Sequence, residues 1–168
     1  YSLSDKEYLV LTMHRPANVD RGSSLKQKLK AIALGTRGLP IIFPVHPRTA
    51  KVLEERDDLP DSIYLVDPQS YLEFNYLVKN SKAVITDSGG ITEETTVLGV
   101  PCITLRDSTE RPETVREGTN ELIGTDPESI EPALKRLFES KWKKGSIPAK
   151  WDGKAGERVV SHLMALLN

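Results

Sequence analysis

Residues 83–94 read AVITDSGGITEE, and this stretch decides the fold class. The run 83–86 is short, apolar and rich in β-branched residues, which predicts a buried strand. Gly89 and Gly90 then lead into a helical pattern that continues to about Leu98. A strand that turns through glycines into a helix is typical of parallel α/β sheets, so we predict such a sheet.

The same alternation continues on both sides of this stretch. Short apolar runs predict strands at 8–12, 41–45, 63–66, 83–86 and 102–105, with a sixth at 122–123. Helical patterns lie between them, Asp126 and Pro127 fit the start of another helix, and a last helix is predicted at about 155–166. Right-handed βαβ crossovers then give a Rossmann-like parallel sheet with helices on both faces.

The bulk composition is that of an ordinary globular domain. The chain has 168 residues, of which 38% are hydrophobic and 28% charged, and its net charge of −1 argues against a nucleic-acid partner. A single cysteine, Cys102, excludes an internal disulfide and a Cys-rich metal site. No apolar stretch has membrane-spanning length and no signal peptide is recognisable, so a cytoplasmic protein without membrane contact is expected.

The stretch Ser88-Gly89-Gly90 is the strongest candidate for ligand binding. Free N–H groups at a helix start favour an anion, and glycines allow its close approach. Glu94 lies four residues after Gly90 on the same helix face, where its carboxylate suits a ribose diol, whereas Glu93 points about 100° away. The alternative, a capped helix with a glycine turn, fits this stretch equally well. The pattern is neither a Walker loop nor GxGxxG, so ATPase and NAD chemistry are not indicated.

Other candidates stand at the carboxyl ends of the predicted strands, where ligands bind in such sheets. Arg106 begins the segment RDSTERPE and suits a diphosphate, although a salt-bridged surface loop is the alternative. His14 and His46 end the first two strands and are candidates for a phosphate donor or a general acid. No third ligand has suitable spacing, so no metal site is predicted.

Taken together, these segments resemble the non-hydrolysing UDP-N-acetylglucosamine 2-epimerases. The matching segments, in the family's order, are 13–15 with 18–20, 44–47, 86–94, 106–113, 118–120 and 152–155 with Arg158. The resemblance implies the C-terminal half of a GT-B fold, with residues 1–168 as a single UDP-binding domain. It implies interconversion of UDP-GlcNAc and UDP-ManNAc through elimination and re-addition of UDP, without metal or NAD, in cell-surface polysaccharide biosynthesis.

The resemblance also assigns roles to particular residues. It puts His14 near the pyrophosphate as a catalytic residue and Arg106 in support of the UDP site. Arg15 and His46 match positions that hold a second, allosteric UDP-GlcNAc in bacterial members. The remaining UDP contacts are Ser88, Gly89 and Gly90 to the diphosphate, Glu94 to the ribose and Phe74 to the uracil.

Two departures from the family pattern matter. Ala17 stands where family members carry a carboxylate, and the family's N-terminal half, which holds its acid/base carboxylates, is not in this chain. The resemblance implies a homodimer for the full-length protein and leaves a monomer open for this chain. The alternatives are a hydrolysing epimerase, a GT-B glycosyltransferase domain, or a regulatory module that binds a nucleotide sugar without catalysis.

Overall fold

The computed structural model describes residues 3–19, 22–45, 49, 50, 53 and 59–167. Six strands form one all-parallel sheet in the order β3-β2-β1-β4-β5-β6, which confirms the predicted fold class. The strands are β1 (Leu9–Thr12), β2 (Ile41–Pro44), β3 (Ile63–Val66), β4 (Ala83–Thr86), β5 (Cys102–Thr104) and β6 (Asn120–Leu122).

Helices cover both faces of this sheet. They are α1 (Pro16–Val19), α2 (Gly22–Gly35), α3 (Tyr71–Asn80), α4 (Gly89–Leu98), α5 (Pro112–Arg116), α6 (Ile130–Phe138) and α7 (Ala155–Leu167). Alternate residues of β1 point to opposite faces, so Leu9 and Leu11 join a core with α2 and α6, whereas Val10 joins a second core with α3 and α4. Cys102 is buried in β5, as expected for a small hydrophobic side chain.

The sixth strand and the helix after it differ from the predicted boundaries. β6 begins at Asn120, a buried polar residue whose amide bonds Thr104 and Thr114, so a reading based on apolar runs placed this strand too late. Asp126 caps as predicted, accepting from the Glu128 N–H at 3.0 Å. However, a 3-10 turn from Pro127 to Ser129 precedes α6.

The strand order reverses between β1 and β4, and this reversal positions the candidate site. On one side of this pair, β1 is followed in the sheet by β2 and then β3; on the other side, β4 is followed by β5 and then β6. The connections that leave the two central strands therefore diverge, which opens a crevice at their carboxyl ends. The turn Met13-His14-Arg15 and the turn Asp87-Ser88 flank this crevice, as the rule for parallel sheets predicts.

The segment between α6 and α7 crosses over β6 through close backbone contact. Trp142 Nε1 donates to the Thr119 carbonyl at 2.9 Å, and the Ser146 N–H donates to the Glu117 carbonyl at 2.7 Å. A Cβ on Gly145 would stand 2.5 Å from the Gly118 carbonyl carbon, and one on Gly118 would clash with the α4 and α5 layer. Both glycines are therefore required by packing.

The last helix, α7, contributes nothing to either core. Every residue from 155 to 167 is exposed, including Val159, Val160, Leu163 and Met164. Among the described residues, no helix has both the length and the apolar composition needed to cross a membrane.

Truncation of the chain after Lys154 is expected to change the free energy of unfolding by no more than about 0.5 kcal/mol. The truncation removes no buried side chain, and the Arg158–Asp152 pair that it breaks is exposed and adds little. Urea unfolding measures the effect, with Leu134→Ala in α6 as the control. Leu134 is fully buried, so its truncation should cost about 2–5 kcal/mol. A comparable loss on removing α7 would contradict the prediction.

Candidate functional site

A buried carboxylate organises the crevice between β1 and β4. Asp87, directly after β4, accepts hydrogen bonds from the backbone N–H groups of His14 at 3.2 Å and Arg15 at 3.0 Å. Asn18 Nδ2 donates to the same carboxylate at 3.0 Å and also to the Leu105 carbonyl at 3.2 Å. The ends of β1, β4 and β5 are thereby tied together at one point.

His14 stands at the edge of this crevice. Its Nδ1 lies 3.0 Å from Asp87 Oδ1, and its side chain is 55% exposed. The ring therefore lies against Asp87, and more than half of it stays accessible to solvent. The second candidate histidine, His46, lies outside the described residues, so its predicted role is untouched by the structure.

A cavity of about 490 Å³ opens where α4 begins. Ser88 precedes the helix but its side chain makes no capping hydrogen bond, so the first-turn N–H groups lack a side-chain partner. Such a helix start attracts an anion. The residues that line the cavity are Arg15, Ser88, Gly89, Gly90, Glu93, Glu110 and Arg111.

The two glycines of this loop are not required by the fold. Neither has a positive φ, and a Cβ on Gly90 would meet no heavy atom within 4 Å. A Cβ on Gly89 would make only ordinary contacts, at 3.5 Å to Glu110 and 3.7 Å to Arg106. Glycine in a helix is less stable than alanine by roughly 0.5–1 kcal/mol, so the absent side chains leave space at the cavity at some cost to the helix.

The charged groups at the cavity are arranged differently from the sequence expectation. Both terminal nitrogens of Arg106 bond Glu110, at 2.8 and 2.7 Å, and this partner lowers the pKa of Glu110 to about 2. The guanidinium group of Arg106 is therefore occupied by its bonds to Glu110, and Arg106 is not among the residues that line the cavity. Arg15 and Arg111 line the wall instead; Arg15 Nε donates to the Asp87 carbonyl at 3.0 Å, and Arg111 pairs with Glu93.

A second cavity of about 350 Å³ adjoins the first along α4. Glu93 lines both cavities, whereas Glu94 lines only the second. Burial, and then the neighbouring Glu93 charge, raise the pKa of the Glu94 carboxyl. Glu93 and Glu94 therefore share one cavity, although adjacent helix residues point about 100° apart. The other residues of this cavity are Tyr71, Asn75, Val97, Leu98 and Trp151.

Phe74 takes a different position from its neighbours on α3. Its side chain packs, half-buried, against the second core, and it does not line either cavity. Tyr71, one turn before Phe74, and Asn75, the residue after it, do line the second cavity. The face of α3 that borders the site therefore carries Tyr71 and Asn75 rather than Phe74.

Sequence reasoning identified the helix start but missed three of the site's features. Arg111 was not singled out, although Pro112 marks it as the residue just before a helix. The partnership of Glu93 and Arg111 joins two loops 18 residues apart, for which no local signal exists. The burial of Asp87 likewise depends on the packing of β1 against β4. Within the described parts of the chain, no three potential ligands cluster as a metal site.

The sheet order and the glycine helix start at its point of reversal define a Rossmann-like α/β domain of the GT-B type. The chain belongs to the UDP-N-acetylglucosamine 2-epimerase family, whose model matches residues 2–164.

Similar proteins come from archaea and bacteria. A UDP-N-acetylglucosamine 2-epimerase of Methanocaldococcus jannaschii is 43% identical over 165 residues, covering 93% of this chain and 44% of the relative. The crystal structure of the M. jannaschii UDP-GlcNAc 2-epimerase in complex with UDP-GlcNAc and UDP is 39% identical with a TM-score of 0.77, covering 98% of this chain and 46% of that one. An S. aureus MnaA–UDP co-structure is 32% identical with a TM-score of 0.80, covering 98% and 47%. The chain thus spans less than half the length of these relatives.

Proposed function

We propose that this chain is the UDP-binding, C-terminal half of an enzyme that interconverts UDP-GlcNAc and UDP-ManNAc. One observation carries the proposal. Gly90 leaves open space at an uncapped helix start, inside a cavity that two arginines also line. The fold has no use for this glycine, whereas an anionic ligand at the helix start does. Family membership supports the choice of a UDP-sugar.

The proposed pose follows the two adjoining cavities. The diphosphate lies on the Ser88 hydroxyl and the N–H groups of Gly89 and Gly90, with Arg15 and Arg111 on the cavity wall; the Ser88 N–H itself donates to Thr86 Oγ1 at 3.0 Å. The ribose then reaches Glu94 in the second cavity, and the uracil lies along the α3 segment that carries Phe74. Arg106 supports the site indirectly, because its bond to Glu110 fixes the cavity wall.

In the proposed reaction this half stabilises the leaving group. A base removes the C2 proton, a C1–C2 double bond forms, and the anomeric C–O bond breaks with its electron pair passing to the diphosphate. Re-addition of UDP, with protonation of C2 from the opposite face, completes the inversion. Preorganised N–H groups and guanidinium groups offset the charge that develops on UDP, and the resemblance assigns His14 a hydrogen bond to the diphosphate. The proton transfers at C2 are assigned to the part of the family that this chain lacks.

A second, allosteric nucleotide-sugar site is proposed for Arg15 and His46 on the strength of the resemblance alone. Arg15 lines the first cavity, so a second ligand that contacts it would lie against the diphosphate of the first. Binding of the two ligands would then be electrostatically coupled through this side chain.

Calorimetry of UDP, UMP and uridine tests the proposal on this chain. We expect UDP to bind most tightly and uridine most weakly, with inorganic pyrophosphate competing, because the helix start and the arginines recognise phosphate. Gly90→Ala should raise the free energy of unfolding by about 0.5–1 kcal/mol, since alanine favours the helix. The same methyl group should weaken UDP binding by about tenfold or more, because overpacking of a filled site costs about 1–3 kcal/mol.

Gly156→Ala is the matched control. Gly156 occupies the second position of α7, as Gly90 does in α4, and a Cβ there also meets open space. Its substitution should leave UDP affinity unchanged. Equal affinities for UDP and uridine, or unchanged UDP affinity in Gly90→Ala, would remove the phosphate site from this loop.

The products of the complete protein distinguish the alternatives. Conversion of UDP-GlcNAc to UDP-ManNAc supports the proposal. Release of free ManNAc with UDP indicates a hydrolysing epimerase, and transfer of the sugar to an acceptor indicates a glycosyltransferase. UDP binding without any turnover indicates a regulatory module.

A further inference from the structure

Asn120 begins β6 and belongs to a segment, residues 118–120, to which the proposed binding site assigns no role. Its side chain is fully buried between those of Thr104 and Thr114, which are buried as well. Thr104 Oγ1 donates to Asn120 Oδ1 at 2.6 Å, and Asn120 Nδ2 donates to Thr114 Oγ1 at 3.1 Å. Thr114 Oγ1 in turn donates to the Arg111 carbonyl at 2.8 Å. Three buried side chains therefore connect the sheet to the residue just before α5.

The direction of each of these hydrogen bonds follows from the last acceptor. A backbone carbonyl only accepts, so the Thr114 hydroxyl must give its single hydrogen to Arg111. The same hydroxyl must then accept from Asn120, which turns the NH₂ group of the amide toward Thr114 and its oxygen toward Thr104. Position 120 therefore needs a donor and an acceptor side by side, which an amide supplies.

Arg111 is held through its backbone, whereas its side chain is 47% exposed. The Arg111 N–H donates to Thr109 Oγ1 at 3.1 Å, and its carbonyl receives the Thr114 N–H at 3.1 Å besides the Thr114 hydroxyl. The side chain lines the first cavity and pairs with Glu93. Because α5 has only five residues, its own helical hydrogen bonds give this end little support. The buried side-chain bonds supply that support instead.

We propose that Asn120 and Thr114 are positioning residues that fix Arg111 at the first cavity. Neither residue lines that cavity, so both act through the backbone of Arg111. With its carbonyl bound, this backbone cannot shift, and the guanidinium group stays within reach of Glu93 or of an anion at the helix start. The effect on phosphate binding rests on the proposed function, whereas the placement of Arg111 does not.

Nitrogen NMR of the arginine side chains tests this placement without any ligand. In the wild-type chain we expect restricted picosecond-to-nanosecond motion of Arg111 Nε, with Arg111→Lys identifying its signal. Thr114→Val keeps the shape of the side chain but removes the hydroxyl, so Arg111 Nε should become more mobile. Thr114→Ser keeps the hydroxyl and should restore the wild-type behaviour. Asn120→Leu removes the donor to Thr114 and should change Arg111 Nε in the same direction as Thr114→Val.

Calorimetry with inorganic pyrophosphate measures the consequence for binding. Thr114→Val should weaken pyrophosphate binding about three- to tenfold, as expected for a displaced charge-assisted contact, whereas Thr114→Ser should change it by less than about twofold. In an Arg111→Ala chain, the further change Thr114→Val should cause no additional loss, because the residue that Thr114 positions is gone.

Thr36→Val is the matched control. Thr36 is fully buried, and its hydroxyl donates to the Ala33 carbonyl three residues earlier at 2.9 Å, just as Thr114 donates to Arg111. Thr36 does not line the cavity, so its substitution should leave both the Arg111 signal and the pyrophosphate affinity unchanged.

A wild-type Arg111 Nε that moves as freely as an unrestrained side chain would overturn the proposal, whether or not the variants fold. The proposal also fails if Thr114→Val or Asn120→Leu keeps the wild-type Nε signal, or if Thr114→Val weakens pyrophosphate binding equally with and without Arg111. A wild-type chain that holds Arg111 as expected but binds neither UDP nor pyrophosphate would contradict the proposed function alone.

Discussion

Incubated with UDP-GlcNAc, this chain alone is expected to form no UDP-ManNAc. A general base works best when its pKa lies near the operating pH and it is free to reach the substrate, and neither carboxylate at the first cavity meets both conditions. Glu110 has its pKa lowered to about 2 by Arg106, and Glu93 is paired with Arg111. Glu94 has a raised pKa but lines the neighbouring cavity.

His14 does not change this expectation, because it is proposed to serve the diphosphate rather than C2. Loss of a positioned acid or base lowers a rate by roughly 10²–10⁴-fold, so the absence of both should abolish detectable turnover. The assay follows UDP-ManNAc by chromatography, with the complete protein as the positive control. Any clear conversion by the chain alone would place the proton-transfer groups within these 168 residues.

Replacement of Glu94 by alanine is expected to weaken UDP binding about ten- to a hundredfold. One carboxylate can accept hydrogen bonds from both ribose hydroxyls, and bonds to a charged group contribute about 1.5–3 kcal/mol net. Glu94 is half-buried beside the cavity that would hold the ribose, so its bonds are partly shielded from water.

The comparison of UDP with 2′-deoxy-UDP isolates this contact. The wild-type chain should bind the deoxy compound more weakly, and the difference should vanish in Glu94→Ala. Glu93 is unsuitable as a control because it lines both cavities and pairs with Arg111. Glu131, exposed on α6, is the better choice. A deoxy penalty that survives in Glu94→Ala would show that another group contacts the ribose.

Glu94 should also affect the stability of the free chain, and in the opposite direction from its effect on UDP binding, because its pKa is raised. The folded chain holds the Glu94 proton more tightly than the unfolded chain, whose carboxyl has its ordinary pKa of 4.5. The stabilisation from this proton is complete below 4.5 and is lost as pH rises through the raised pKa. Glu94→Gln should therefore make the free chain slightly more stable at neutral pH, as thermal unfolding would show, while it weakens UDP binding.

The sheet was predictable because its central strands are uninterrupted runs of apolar, β-branched residues. Ala83–Thr86 is buried at every position, and such an apolar, β-branched run just before a pair of glycines is typical of a central strand. β6 was misplaced because Asn120 is buried through side-chain hydrogen bonds, which hydrophobic periodicity does not detect. α1 was not predicted, since a helix of four residues shows no periodicity.

The site was predictable only where local backbone chemistry defines it. The glycines after β4 indicate a helix start with open space, and this feature depends on the local sequence alone, not on contacts with a distant loop. The positions of the guanidinium groups were harder to predict, because they depend on which loops come together in the folded chain. Arg106 looked available in the sequence but bonds Glu110, and Arg111 lines the cavity across from Glu93. Sequence spacing does not reveal such pairings between side chains.

The contact of Gly145 with the backbone at Gly118 has a consequence for how this sequence tolerates change. A methyl group at Gly145 meets the backbone of residues 118 and 119, whereas a methyl group at Gly118 meets Thr96 and Thr114, so neither change makes room for the other. The loss of one glycine should therefore not rescue the loss of the other. A lineage that has lost Gly145 is under no weaker selection to keep Gly118, so the two positions should not vary as a compensating pair.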